Sequence, residues 1–362
     1  MVGVQKQRFI IVPADICNLT CSFCCVAKCE GSSKTLMSVG DAKKYANIIA
    51  NYLVKHKIDF VELQFFGGEP MLNLSAIKEF LLSVQDSYRR FGVPNRIKVF
   101  PMTNAMCNIP EFIEFIHKLN LETDIFKLEL QMSFDGPKEL CTDIAEKTDI
   151  TYIKRAIELT KNNKDWMVSF MVVISNHNAA KLLDIVKFIN KHGVLNRCSF
   201  RFDIENSDYV ELGKIVIPQL QDVIKYIKSI DTDTVLFSKK LLFSRYLYSD
   251  PRGTCGSGIH TICLSSNGIL TGCQRDVVLI SQKHLKRVYR KLTSVNDIED
   301  YCDLSFDNDW YQIGKDGHAE YEDICPAHYE KVKDDPDRKE FFRKVHEIVK
   351  QLDEGDKSEE EK

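Results

Sequence analysis

No run of apolar residues in this 362-residue chain is long enough to cross a bilayer. The N-terminus also lacks the charged-then-apolar pattern of a secretion signal. Neither sign of charge is in excess, since 49 Lys and Arg face 52 Asp and Glu for a formal net charge of −3. That balance leaves no basic footprint for nucleic acid. No internal repeat is present. The expectation is a cytoplasmic protein with no membrane and no nucleic-acid partner, long enough for one large domain or two smaller ones around a real core. What the chain has in plenty is cysteine, thirteen in all. With no export signal and with clustered spacing, they read as metal ligands in a reducing compartment, not as disulfides.

Hydrophobic periodicity from residue 8 to about 230 alternates between the two regular periods. Strands are expected at 9–12, 60–66, 97–102, 126–134, 167–174 and 198–204. Helices are expected between and after them at 38–56, 74–91, 110–119, 148–162, 179–192 and 214–229. Six β/α units in sequence imply parallel strands joined by crossovers, two short of the eight of a closed barrel. In such folds the chemistry sits at the carboxyl ends of the strands. The remainder differs in texture: a cysteine- and glycine-bearing stretch to about 335, a helix at 336–352 and an almost wholly charged tail, expected to be disordered, at 353–362.

Just after the first strand stand Cys17, Cys21 and Cys24, spaced x3 and x2 with Phe23 before the third. Three thiolates hold three irons of a [4Fe–4S] cube and leave the fourth open to a small molecule. A zinc knuckle would more often use paired C-x2-C units, and Cys25 and Cys29 permit another trio. The spacing resembles the cluster loop of the radical S-adenosylmethionine (SAM) enzymes. That resemblance implies that the open iron chelates SAM, and that its one-electron cleavage yields a 5′-deoxyadenosyl radical. It implies a role for Phe23 beside the adenine.

The strand ends extend the resemblance. Gly67-Gly68-Glu69-Pro70 after the second strand is similar to the family's GGEP motif, in which Glu69 would accept from the SAM ammonium; the bland reading is a β-to-α turn. Asn104, in Thr103-Asn104-Ala105, would line the SAM pocket or only shape its loop. Ser133 and Asp135, in Ser133-Phe134-Asp135-Gly136, would meet the ribose and the methionine carboxylate, against the alternative of a plain Asp-Gly turn. Ser175, in Ser175-Asn176-His177-Asn178, falls where family members contact SAM, and Arg201 and Asp203 are candidates for a carboxylate.

A second cysteine set lies at Cys255, Cys263, Cys273, Cys302 and Cys325. Cys255, an Asn267-Gly268 turn and Cys273 resemble the start of a SPASM or twitch domain, which implies one auxiliary [4Fe–4S] cluster. Asn267-Gly268 suggests a type I′ hairpin turn. Cys255, Cys273 and Cys325 are the expected ligands. For the fourth, Cys302 ranks first, His328 or an open site next, and Cys263, placed mid-strand for burial, last.

The reading is an α/β chain: a partial (β/α)6 TIM-type barrel at 1–230, a cysteine-rich SPASM/twitch-like auxiliary-cluster domain at 231–335, the helix and the tail. The implied activity is hydrogen abstraction from a substrate, as in RiPP-type maturation (cross-link, oxidation or epimerisation of a peptide). The alternatives are a small-molecule dehydrogenase or cyclase, and an iron–sulfur electron carrier that never cleaves SAM. A flavodoxin- or ferredoxin-type reductant is implied. The cluster loop beginning at Cys17 leaves no room for an N-terminal leader-binding module, which counts against a peptide unless a separate leader-peptide-binding protein performs the capture. No catalytic acid or base is assigned.

Overall fold

The computed structural model describes residues 6–21, 24, 35–141, 149–202, 208–230, 261–272, 290–306 and 335–351. Six strands carry the barrel: β1 (Lys6–Ala14), β2 (Phe60–Gly67), β3 (Arg96–Thr103), β4 (Phe126–Ser133), β5 (Met167–Ile174) and β6 (Cys198–Phe202). Each is followed by a helix: α1 (Val39–Lys55), α2 (Leu74–Phe91), α3 (Ile109–Thr123), α4 (Ile150–Thr160), α5 (Leu182–Lys191) and α6 (Tyr209–Ser229). Neighbouring strands pair in parallel throughout this series, as the β/α alternation requires. The architecture is the partial TIM-type barrel that the sequence predicts.

Strand period fixes which side chains meet the helices. Phe9, Ile11, Val61, Leu63, Phe65, Val99, Leu130 and Phe170 are buried in one core with the apolar faces of the helices. The other face is polar at its lower end. Arg8 pairs with Glu62, Glu62 with Lys98 at 3.5 Å, and Lys98 with Glu129, a ladder across β1 to β4. Glu62 is 1% exposed and stands between those two cations.

The sheet does not stop at β1. β7 (Thr261–Leu264) pairs in parallel with β1, placing Ile10 opposite Cys263, and continues antiparallel into β8 (Ile269–Thr271) and β9 (Arg290–Lys291). Among the described residues the order is β6-β5-β4-β3-β2-β1-β7-β8-β9. The described part of 231–335 therefore extends the barrel's own sheet. α7 (Val295–Phe306) lies beside α1, where Glu299 takes Lys55 Nζ at 2.8 Å and meets the His56 ring at 2.6 Å. α8 (Pro336–Lys350) returns to α6, setting Phe341 edge-on to Phe202 at 5.2 Å and tilted against Tyr209 at 5.5 Å.

Two expectations change. The β7–β8 turn is not type I′, because Asn267 does not adopt the positive φ that both central residues of that turn need. Instead the Gly268 N–H donates to Ser265 O at 3.0 Å and only Gly268 is left-handed, at φ +81°. This is a three-residue type I turn with a glycine bulge. α6 starts five residues earlier than its apolar period suggests. Asp208 caps it, accepting from Val210 N at 2.9 Å and Glu211 N at 3.1 Å, and Pro218 is carried inside the helix. No described helix is long and apolar enough to cross a membrane.

Candidate active site

The carboxyl ends of β1, β2 and β3 meet around the cysteine loop. Its root is a short ladder: Ala14 bridges Leu36, Met37 N donates to Pro13 O at 2.9 Å, and Asp15 N donates to Thr35 O at 3.0 Å. Asn73, buried at the start of α2, donates to both Pro13 O at 2.8 Å and Met37 O at 2.9 Å. The end of β2 closes on the same root. Gly68 N donates to Ala14 O at 3.0 Å and Glu69 N to Ile16 O at 2.8 Å. A Cβ on Gly68 would overlap the Ile16 carbonyl and stand 2.9 Å from Cys17 N. Glycine is required here by a close backbone crossing, not only by a turn.

Glu69 is 1% exposed. Its Oε1 accepts from Thr103 Oγ1 at 2.7 Å and Met71 N at 3.0 Å, and its Oε2 from Asn104 N at 2.7 Å. Hydrogen bonds of this kind hold an ionised carboxylate in a buried place. Asn104 continues the chain of contacts. Its Nδ2 donates to Asn18 Oδ1 at 2.8 Å and lies 3.7 Å from Cys17 Sγ, while Leu19 N donates to that sulfur at 3.4 Å. The motifs after β1, β2 and β3 thus form one hydrogen-bonded assembly. Burial, with Glu69 and Cys17 nearby, pushes the Cys107 thiol up to about 11.

Cys17 is exposed, Cys24 half-buried and Cys21 buried, all three free of disulfides, with Cys24 N donating to Cys21 O at 3.1 Å. Among the described residues no three His, Cys, Asp or Glu side chains converge into a metal-holding group. The donor set nevertheless fits an iron–sulfur cluster in kind: three thiols on one loop outside any disulfide, one sulfur already met by N–H donors.

A second assembly joins β4 and β5. Asp135 is buried, and its carbonyl accepts from Asn178 Nδ2 at 3.0 Å and Cys141 Sγ at 3.3 Å. Asn178 also donates to Val173 O at 2.8 Å and accepts from Ser175 N at 2.9 Å. Ser175 is buried in this turn, its Oγ accepting from His177 N at 3.4 Å, and Ser133 is half-exposed at the end of β4. Phe134 turns the other way into the core against Phe170. Asn178 is the member of the Ser175-Asn176-His177-Asn178 run that ties β4 to β5, and Asn73 is a structural key that motif reading passes over. Asn73 does carry a sequence signal, as a polar residue just before an apolar helical period.

The second cysteine set is divided. Cys263 is fully buried with Ile10, Val12 and Phe66, as its mid-strand position predicts. Cys302 is half-buried on α7, packed against the main core. Phe23, Asp203, Cys255, Cys273, Cys325 and His328 lie outside the described residues, as do Cys25 and Cys29.

A run of parallel strands with three cysteines after its first strand places the chain among the partial-barrel α/β proteins. The radical SAM superfamily profile matches residues 11–189, the stretch that holds the cysteine loop and the motifs at the ends of β2 to β5. A curated relative, the radical SAM cyclopropyl synthase TigE of Paramaledivibacter caminithermalis, is 24% identical over 225 residues, 58% of this chain and 44% of that protein. The chain thus matches less than half the length of that relative. Among solved structures, native anSMEcpe with bound AdoMet superposes with a TM-score of 0.60 at 16% identity, covering 96% of this chain and 99% of that one. Streptococcus suis SuiB bound to S-adenosylmethionine gives 0.50 at 14% identity, over 88% and 70% of the two chains. These likenesses establish the fold.

Proposed function

We propose that the protein modifies a peptide by SAM-dependent radical chemistry. The observation that carries the reading is the assembly in which Glu69 holds Asn104 and Asn104 reaches Cys17. An electron carrier has no use for a buried carboxylate network beside its cluster. For the peptide, the support is near-complete mutual coverage with anSMEcpe, one structure of which holds AdoMet and the Kp18Cys peptide, and the kinship with a cyclopropyl synthase.

Reductive cleavage of SAM is the chemistry the cluster supplies when bound. Cys17, Cys21 and Cys24 supply its three thiolates. Glu69 accepts the SAM ammonium beside the end of β2, with Asn104 and Phe23 around it and Gly67 and Gly68 giving backbone room. Ser133 and Asp135 serve the ribose and carboxylate, and Ser175 closes the far side. Residues 231–335 hold one auxiliary [4Fe–4S] cluster through Cys255, Cys273 and Cys325, with Cys302 as fourth ligand. A flavodoxin- or ferredoxin-type protein delivers the electron, and a separate protein presents the peptide by its leader.

The test is anaerobic reconstitution, dithionite and SAM, with 5′-deoxyadenosine measured with and without peptides encoded beside the gene. Replacing Cys17, Cys21 and Cys24 together by Ala should abolish 5′-deoxyadenosine. Survival of that product sinks the radical SAM assignment, and indifference to every peptide, with stimulation by a small molecule, sinks the peptide.

A further inference from the structure

The root of the cysteine loop is gripped from the far half of the chain. Asp15 and Thr35 stand at its two ends, and their side chains meet, Thr35 Oγ1 donating to Asp15 Oδ2 at 2.8 Å. A third group joins them. Ser266 donates its hydroxyl to the same Asp15 oxygen and lies 2.6 Å from Thr35 Oγ1. Ser266 is 4% exposed, and Asp15 and Thr35 are half-buried, so the cluster lies partly out of water.

The turn that carries Ser266 is itself firmly held. Ile269 N donates to Ser265 Oγ at 2.9 Å, and Lys291 anchors the Asn267 carbonyl from β9. Gly268 rests on the buried ring of Tyr45 from α1, with no room for a Cβ. β7 is locked to β1 by register, Leu264 opposite Ile11, which carries the turn up to the level of Asp15. Cys17 therefore follows two residues fixed from opposite sides: Ile16 by Glu69 N, and Asp15 by the β7–β8 turn.

We propose that Ser266 is a positioning residue for the SAM-cluster loop, fixing through Asp15 and Thr35 where Cys17 stands relative to Glu69. The proposal rests on the reading of Cys17, Cys21 and Cys24 as cluster ligands. Its physical content is a local equilibrium: backbone bonds from the end of β2 and residues 35–37 hold the root, and the charge-assisted hydrogen bond from Ser266 adds to them and lowers how often the root opens.

The experiment compares wild-type holoprotein with Ser266→Ala and Ser266→Thr, full length and anaerobic. Hydrogen exchange by mass spectrometry follows peptides within 13–37, a ferrous chelator follows iron release with and without SAM, and calorimetry gives the melting temperature. Ser266→Ala should raise exchange in 13–37 and speed SAM-protected iron release about tenfold, the scale of one charge-assisted hydrogen bond. Its melting temperature should stay within about 3 °C of wild type, and Ser266→Thr, which keeps the hydroxyl, should restore both rates. Unchanged exchange and iron release in Ser266→Ala overturn the proposal. So does a large fall in melting temperature with exchange rising equally across β2 to β5, which is a structural role only. Thr35→Val removes the neighbouring hydroxyl and repeats the test should Ser266→Ala not fold. Wild-type protein without SAM-protected iron refutes the ligand assignment instead, and the exchange data still decide the grip.

Discussion

The carboxylate of Glu69 accepts the main-chain N–H of Asn104 at 2.7 Å. One side chain thereby ties the end of β2 to the end of β3, and Asn104 passes the tie on to Asn18 at 2.8 Å. Three segments that sequence offers only as separate motifs share one rigid junction. That junction sets the order of the predictions about the site.

Glu69→Gln preserves shape but places an amide where two acceptor oxygens are needed. One oxygen can keep Thr103 and Met71, but the new NH2 then faces the Asn104 N–H, donor against donor. The expected loss is about 1–3 kcal/mol, the cost of a buried polar group left unsatisfied. Urea denaturation of the cluster-free protein measures it without involving SAM. A loss below about 0.5 kcal/mol would show that the carboxylate does not tie the strands.

Gly68→Ala tests the crossing of β2 over the loop root. The added methyl meets the Ile16 carbonyl and Cys17 N, both backbone, so no side chain can swing aside. Overpacking of this kind costs about 1–3 kcal/mol. The shift it forces falls on Cys17, so iron bound after reconstitution should fall as well. Gly92→Ala is the control: its Cβ meets nothing within 4 Å, so only its left-handed φ of +70° is strained. It should cost about 1 kcal/mol and leave iron content intact.

The barrel was legible because its signal is local. Val61, Leu63 and Phe65 alternate with Glu62 and Gln64, and α1 repeats Ala42, Tyr45, Ile49 and Leu53 at helical spacing. The start of α6 was legible in principle, since Asp208 with Glu211 three residues later is a capping pattern. The apolar period alone hid it. The pairing of β7 with β1 had no local signal, because four residues cannot state which distant strand they will meet. The same holds for the site. Cys17, Glu69 and Asn104 were readable from motifs, whereas Asp15, Thr35 and Ser266 are ordinary polar residues whose meaning comes only from meeting.

The corrected hairpin turn makes its own prediction. In a type I turn with a glycine bulge only Gly268 has positive φ, so Asn267→Ala should cost under about 1 kcal/mol. Gly268→Ala should cost more than that, being strained in φ and driven into Tyr45. A type I′ turn would instead penalise both changes through their backbone angles. Parallel thermal melts of the two variants distinguish the cases.

Cys263 predicts how the fold fails in alkali. Burial, chiefly, pushes its thiol from 9.0 up to about 12; a hydrogen bond from Thr271 pulls it back in part, and Asp15 adds to the rise. The folded chain then holds a proton that the unfolded chain releases between those two values. Its contribution is therefore whole below pH 9 and is lost as pH rises, at about 1.4 kcal/mol per pH unit until about pH 12. Cys198, also fully buried and raised well above 9.0, adds to the same limb, so the total slope does not isolate Cys263. The difference between wild type and Cys263→Ala does. That variant should begin less stable at pH 8, having lost packing against Ile10, Val12 and Phe66. It should then lose stability more slowly than wild type from pH 9 to 11, so that the gap closes as pH rises. A gap that stays constant across that range would show that the thiol of Cys263 titrates in the folded protein as it does in the unfolded chain.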